Sequence, residues 1–129
     1  MRMPTEKLCV LVVDADPFVR QSVTRALRAE HEVVALEDAE SAWARLEGRE
    51  AFDLVLYEAA ASGMDAVALW KRLVPDHTAL RARLVFLVGR TVAESITDFL
   101  TQVDATALSK PIDGESLKTL VHGIVAGAA

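Results

Sequence analysis

Cysteine occurs once in 129 residues, at Cys9 inside an apolar run, which excludes a disulfide framework and a cysteine-rich metal site. Cys9 reads instead as a small buried hydrophobe in a reducing compartment. No apolar stretch is long enough to cross a membrane. Met1–Lys7 shows no signal-peptide apolar region ahead of Leu8, so a cytoplasmic protein is expected. No glycine-rich fingerprint follows the first apolar run, which counts against nucleotide binding. Basic residues form no stripe that would hold nucleic acid alone: 14 Lys and Arg interleave with 19 Asp and Glu for a net charge of −5. His31, His77 and His122 are far apart, show no ligand spacing and are expected at the surface. No internal repeat, linker or low-complexity tract divides the chain, so residues 1–129 are expected to form a single domain.

The hydrophobic content of 52% argues for a folded core. Leu8–Val13, Leu54–Tyr57 and Leu84–Val88 are short apolar runs that do not alternate. Strands buried on both faces of a parallel sheet read this way. Val33–Leu36 is a shorter candidate, and Thr106–Leu108 is the weakest and reads as an edge strand.

Between these runs the period turns helical. Asp16 is placed to cap a helix with Pro17 at its first position, carrying the stripe Phe18, Val19, Val23, Ala26 and Leu27 opposite Arg20, Arg25 and Arg28. Asp38 opens a second helix that ends at Gly48 and carries Ala39, Ala42, Trp43 and Leu46. A third runs from about Met64 to Leu73, with Trp70 on its apolar face, and stops before Pro75. Thr91-Val92-Ala93-Glu94 has capping-box spacing and predicts the start of a fourth. Asp113 caps a fifth, with Leu117, Leu120, Val121, Ile124 and Val125 inside. The longest connection, 75–80, has room for an extra helical turn. Strand and helix alternate about five times, which predicts right-handed βαβ units. The fold class is α/β, a flavodoxin-like three-layer sandwich with a five-stranded parallel sheet in the order 2-1-3-4-5 and five helices.

In that topology the C-terminal strand ends share one edge, where open α/β folds keep their chemistry. Asp14, Ala15 and Asp16 follow the first strand, Glu58 ends the third, Val88 and Gly89 end the fourth, and Ser109 and Lys110 end the fifth. Carboxylates facing a lysine fit either a hard-cation site for Mg²⁺ or an internally paired ionic cluster. Asp53 precedes its strand and belongs at the opposite end. Asp65 suits a helix start, where an acid complements the helix dipole. Gly63 and Gly89 read as backbone relief in loops at the site's rim.

Val12-Val13-Asp14-Ala15-Asp16-Pro17, Asp53 to Glu58, Gly63-Met64-Asp65, Leu84 to Gly89 and Ser109-Lys110-Pro111 together resemble the receiver domain of bacterial two-component response regulators. The resemblance covers nearly the whole chain and implies the CheY-like version of the fold. Arg83 to Asp113 looks most like receivers attached to hybrid sensor kinases. Members of that family accept a phosphoryl group on an aspartate ending the third strand. Two acids after the first strand help hold Mg²⁺, a Ser or Thr ends the fourth strand, and a Lys-Pro pair ends the fifth.

On that resemblance, Asp14, Lys110 and Pro111 are retained, and Asp16 matches too, although capping is its simplest role. Ala15 stands where the family has a metal-ligating aspartate, Glu58 at the phospho-acceptor, Val88 at the phosphate-sensing hydroxyl and Ala107 at the aromatic switch position. Glu58 carries its carboxylate one C–C bond, ~1.5 Å, further out than aspartate would. Val88 has the shape of threonine without a donor.

The resemblance therefore implies a degenerate receiver, not an enzyme and needing no cofactor. It would act as a phosphorylation-independent interaction module with a Glu58–Lys110 ion pair in the former site. The expected partner is a signalling protein such as a histidine kinase or an output domain. A homodimer through the fourth helix, fifth strand and fifth helix is the other expected contact. The alternative is a working phospho-receiver with Glu58 as acceptor and Mg²⁺ held by Asp14, Glu58 and the carbonyl of Ala60. A flavodoxin-like enzyme or cofactor binder rests on fold analogy alone.

Overall fold

Three short apolar runs form the buried centre of one sheet. The structure is a computed structural model and describes residues 7–48, 50–73 and 78–127. The strands are β1 (Cys9–Val13), β2 (Glu32–Leu36), β3 (Leu54–Glu58), β4 (Leu84–Val88) and β5 (Thr106–Ser109). All pairings are parallel, in the order β2-β1-β3-β4-β5. Thr106–Ser109 is an edge strand, as its weak apolar character predicts, and β2 forms the other edge.

The two-residue strand period divides the core into two layers. Leu11, Val13, Val55, Tyr57, Leu84 and Phe86 face one side, and Val10, Val12, Leu54, Leu56, Val85 and Leu87 face the other. The first layer is covered by α2 (Ala39–Glu47), α3 (Ala66–Arg72) and α5 (Glu94–Gln102) through Ala42, Leu46, Leu69, Ile96 and Leu100. The second is covered by α1 (Pro17–Leu27) and α6 (Gly114–Gly127) through Val19, Val23, Leu27, Leu117 and Val121. Trp43 and Trp70 pack at the rim of the first layer, with the guanidinium of Arg72 4.2 Å from the Trp43 ring and that of Arg81 4.7 Å from the Trp70 ring. Tyr57 meets Phe86 edge-on, and its buried hydroxyl donates to the Met64 carbonyl at 2.6 Å. Burial holds that phenol well above its ordinary pKa.

Four aspartates start helices as read from the sequence. Asp16, Asp38, Asp65 and Asp113 accept from the N–H groups of Phe18, Ser41, Ala68 and Ser116. Gly63 has φ +82°, a left-handed turn that favours glycine. Gly89 has no such angle, and a Cβ there would make only ordinary contact with Lys110, so conformational relief is not its role.

Several expectations fail. The described residues contain six helices, because the connection before β4 does hold a short α4 (Thr78–Arg81). The helices predicted as fourth and fifth are therefore α5 and α6. Thr91 makes no capping box: Ala93 is the N-cap of α5 and makes no side-chain bond, because the turn after Gly89 places Thr91 two residues before the cap. The third helix starts at Ala66, since Asp65 takes the extended N-cap conformation and its side chain accepts from the Ala68 N–H. Phe18 is 70% exposed, because the stripe that reaches the sheet begins one residue later and runs Val19, Val23, Leu27. Cys9 is only half-buried; burial, followed by the charges of Glu32 and Asp53, raises its thiol pKa. His77, Pro75 and the side chain of Val125 lie outside the described residues.

His31 is buried rather than at the surface, and its Nδ1 accepts from the Leu8 N–H at 3.1 Å; His122 is exposed as expected. A ring nitrogen that accepts must be unprotonated. Desolvation is the main cause that lowers the His31 pKa. A depressed folded pKa means stability that is complete above the unfolded value near 6.5 and is lost as pH falls through the folded value. Urea unfolding at neutral pH and near pH 5 should show a larger loss for the native chain than for His31→Gln, whose acceptor does not titrate. Equal losses would exclude His31 as the cause.

Candidate receiver site

Parallel pairing lines up the ends of β1, β3 and β5 around one small ionic cluster. Val13 is level with Tyr57 in the β1–β3 register, which places Asp14 beside Glu58. At the far side the Lys110 N–H donates to the Val88 carbonyl at 2.9 Å. This bond ties the end of β5 to the end of β4 and aims the lysine back across the edge. The Lys110–Pro111 peptide is cis.

The Lys110 ammonium lies 2.7 Å from Asp14 Oδ2 and 3.6 Å from Glu58 Oε2. The sequence singles out Glu58 as its partner. The structure retains that pair but makes Asp14 the closer one. Burial explains the order: Asp14 is 0% exposed, whereas the Glu58 side chain is 22% exposed and can be solvated. Asp14 Oδ2 receives no hydrogen bond from a neutral group, so the ammonium alone meets its charge.

The remaining oxygens are also engaged. Asp14 Oδ1 accepts from the Asp16 N–H at 2.9 Å, and Glu58 Oε1 accepts from the Ala15 N–H at 3.1 Å. All four carboxylate oxygens of Asp14 and Glu58 thus have a partner within the chain. Asp16 points its own carboxylate at the start of α1, accepting from the Phe18 N–H at 2.9 Å.

Other predicted positions contribute no side chain to this cluster. Val88 is half-buried and packs against the core, level with the exposed Ser109. Ala107 is exposed on β5, level with Phe86. Ala60 is exposed just after β3. Asp53 is at the opposite end, as read, accepting from the Cys9 N–H at 2.8 Å.

Two residues escape sequence reasoning. Arg20 Nη1 donates to the carbonyls of Asp14 at 2.7 Å and Ala15 at 3.1 Å, a second tether on the loop that Glu58 holds. Its only signal is its place in the first turn of the helix after that loop. Glu37 lines a cleft of about 210 Å³ with Ala15, Asp38 and Glu58. It directly follows β2, so the strand order itself brings it to this edge.

Residues 10–122 match the response regulator receiver domain. This chain belongs to that family. Full-length FixJ from B. japonicum is similar at 22% identity and a TM-score of 0.79, over 96% of this chain and 60% of FixJ. A CheY-like receiver protein from Methanospirillum hungatei is similar at 20% identity and a TM-score of 0.79, over 95% and 96% of the two chains. The receiver domain of Nitrogen Regulatory Protein C is similar in its BeF3-activated form, at 26% identity, a TM-score of 0.75 and coverages of 95% and 98%. Its apo form is similar at 25% identity, a TM-score of 0.76 and coverages of 93% and 95%. No curated protein sequence matches this chain. Among the described residues of the receiver, no helix is long and apolar enough to cross a membrane.

The geometry ranks the receiver's ionic contacts. Lys110→Met strips the cation from a fully buried carboxylate and should cost about 3 kcal/mol, the low end for a broken buried pair, because the lysine is partly exposed. Glu58→Gln keeps an acceptor for the Ala15 N–H and loses only a longer, partly exposed pair, an expected cost below about 1 kcal/mol. Chemical denaturation of both variants checks the order. A larger loss for Glu58→Gln would mean that the longer contact is the stronger one.

Proposed function

We propose that this receiver is degenerate and works as a phosphorylation-independent protein-interaction module in two-component signalling. The observation that carries the reading is the Lys110 ammonium held between Asp14 and Glu58 while Glu58 Oε1 accepts from the Ala15 N–H. A phospho-acceptor must present a free oxygen in line with the donor, and a displacement of about 1 Å can cost on the order of 10²-fold in rate. Here one Glu58 oxygen faces an amide and the other an ammonium.

Mg²⁺ fits these residues poorly. It favours octahedral oxygen coordination, yet Ala15 contributes a methyl group where the family has a ligating carboxylate. The oxygens of Asp14 and Glu58 are already matched by Asp16, Ala15 and Lys110. Val88 supplies no hydroxyl to hold a phosphoryl oxygen, and Ala107 supplies no ring to move in response. On this reading the face formed by α5, β5 and α6 is held in one state. It docks a histidine kinase, an output domain or a second copy without a switch.

The competing reading keeps Glu58 as acceptor, favoured by the convergence of Asp14, Glu58 and Lys110 at one edge. Similarity to both the apo and the activated forms of one receiver does not separate the two readings, so the site chemistry must.

Incubation with acetyl phosphate and Mg²⁺, followed by intact mass measurement, should give no adduct on the native chain or on Glu58→Asp. Ala15→Asp combined with Glu58→Asp should recover Mg²⁺ binding by calorimetry. A stoichiometric, base-labile adduct at Glu58 would favour the competing reading. Efficient phosphorylation of Glu58→Asp alone would show that Ala15 is not the limiting loss.

A further inference from the structure

The outer side of β2 and the adjoining flank of α1 form a surface that the receiver site does not use. A groove of about 350 Å³ runs between them, lined by Arg20, Gln21, Thr24, Arg25, Arg28 and Ala35. Three arginines line it, and among the described residues no carboxylate does. Neither Arg25 nor Arg28 forms an ion pair with a carboxylate among those residues. In a chain of net charge −5 this row is a local reversal of sign. The sequence places Arg20, Arg25 and Arg28 opposite the apolar stripe of α1. The fold sets them beside an open strand.

Among the described residues, that strand has unused backbone groups. β2 is the last strand on its side of the sheet. The Glu32 N–H donates to the Leu8 carbonyl, and the Leu36 carbonyl accepts from the Asp14 N–H, so these residues turn their backbone groups towards β1. By the two-residue period, the N–H and C=O groups of Val33 and Ala35 point outward, away from the sheet. The side chains of the same two residues lie on the α1 side, where Val33 packs with the α1 layer and Ala35 lines the groove.

We propose that this edge takes up an extended acidic peptide segment of a partner protein, added as a sixth strand beside β2. Backbone hydrogen bonds to Val33 and Ala35 would align it. Every second side chain would then hang over α1. Those side chains recur at about 6.6 Å along a strand. Residues four apart on α1 recur at about 6 Å, and Arg20 and Arg28 are separated by about 12 Å, close to two such steps. Acidic residues at alternate positions therefore match Arg20 and Arg28 in both sign and spacing, with Arg25 adding positive charge between them. A nucleic acid would meet the same arginines, but it has no use for the strand's N–H and C=O groups.

Arg20 belongs to both places. One nitrogen, Nη1, serves the Asp14 and Ala15 carbonyls. Its other N–H groups remain for the groove. Occupancy of the groove would thus bear on the loop beneath Glu58, whether or not that glutamate accepts a phosphoryl group.

The test uses the full chain and a fluorescein-labelled decapeptide of alternating Glu and Val, read by anisotropy and by amide chemical shifts. Binding is expected, with the largest shifts at Val33, Ala35 and the α1 residues. Affinity should fall roughly tenfold or more for Arg25→Glu with Arg28→Glu, and again on raising salt to roughly 0.5 M. Substituting Gln for Glu in the peptide should weaken it similarly. Methylating alternate peptide nitrogens on the strand-pairing side should abolish binding while leaving the receiver itself unaltered. The proposal is overturned by absence of binding, by binding indifferent to charge reversal or nitrogen methylation, or by tighter binding of a labelled single-stranded oligonucleotide than of the peptide.

Discussion

The contact between the Lys110 ammonium and the buried Asp14 carboxylate, at 2.7 Å, is the constraint on which the rest of the sheet edge depends. A carboxylate without solvent access is costly unless its charge is met nearby. The cation comes from the far edge strand, so β1 and β5 are coupled across β3 and β4. The Val88 carbonyl anchors the backbone of Lys110, and Asp16 and Ala15 hold the other ends of the network through their N–H groups. Few of these groups can move singly, because each shift leaves another polar atom unmatched in a place with little water.

The three central strands are legible in the sequence because burial on both faces removes polar residues from them, and β1, β3 and β4 lie where the apolar runs do. Helix starts are legible where an aspartate finds its amide, as at Asp16, Asp38, Asp65 and Asp113. The same logic fails at Thr91. Capping-box spacing is necessary for the motif but says nothing about where the backbone leaves the preceding turn, and here it does so at Ala93. Phe18 and His31 fail for a related reason. An apolar residue in the first helical turn, and a histidine just before an edge strand, are each assigned to core or solvent by tertiary contacts that the local pattern does not encode.

The site was legible in membership and not in order of contact. Asp14, Glu58 and Lys110 are found by asking which polar residues end apolar runs, and the parallel topology brings them together. Which carboxylate claims the lysine is decided by a difference in burial at 2.7 and 3.6 Å, a matter of side-chain packing. Arg20 and Glu37 were missed because each belongs to an element flanking the edge, whose reach towards it appears only once helix α1 and strand β2 are laid beside β1.

A receiver whose site is closed on itself differs from a switching one in how it can be regulated. A ligand shifts a conformational equilibrium only as far as its affinities for the two states differ. If the proposed ionic network holds α5, β5 and α6 in one state, modification of Glu58 has no second state to select. Occupancy then follows the abundance and affinity of the partner. An edge such as β2, which binds by backbone pairing and charge, suits that regime because it needs no second conformation. Arg20 is the point where the two surfaces touch: it donates to the Asp14 and Ala15 carbonyls and also borders the groove. A bound segment can act on the receiver site through that guanidinium, through Pro17 and the Asp16 N–H beside it, or through the β1–β2 ladder. The ladder is continuous over five residue pairs and resists displacement, which leaves the start of α1, with Arg20 on it, as the softer route.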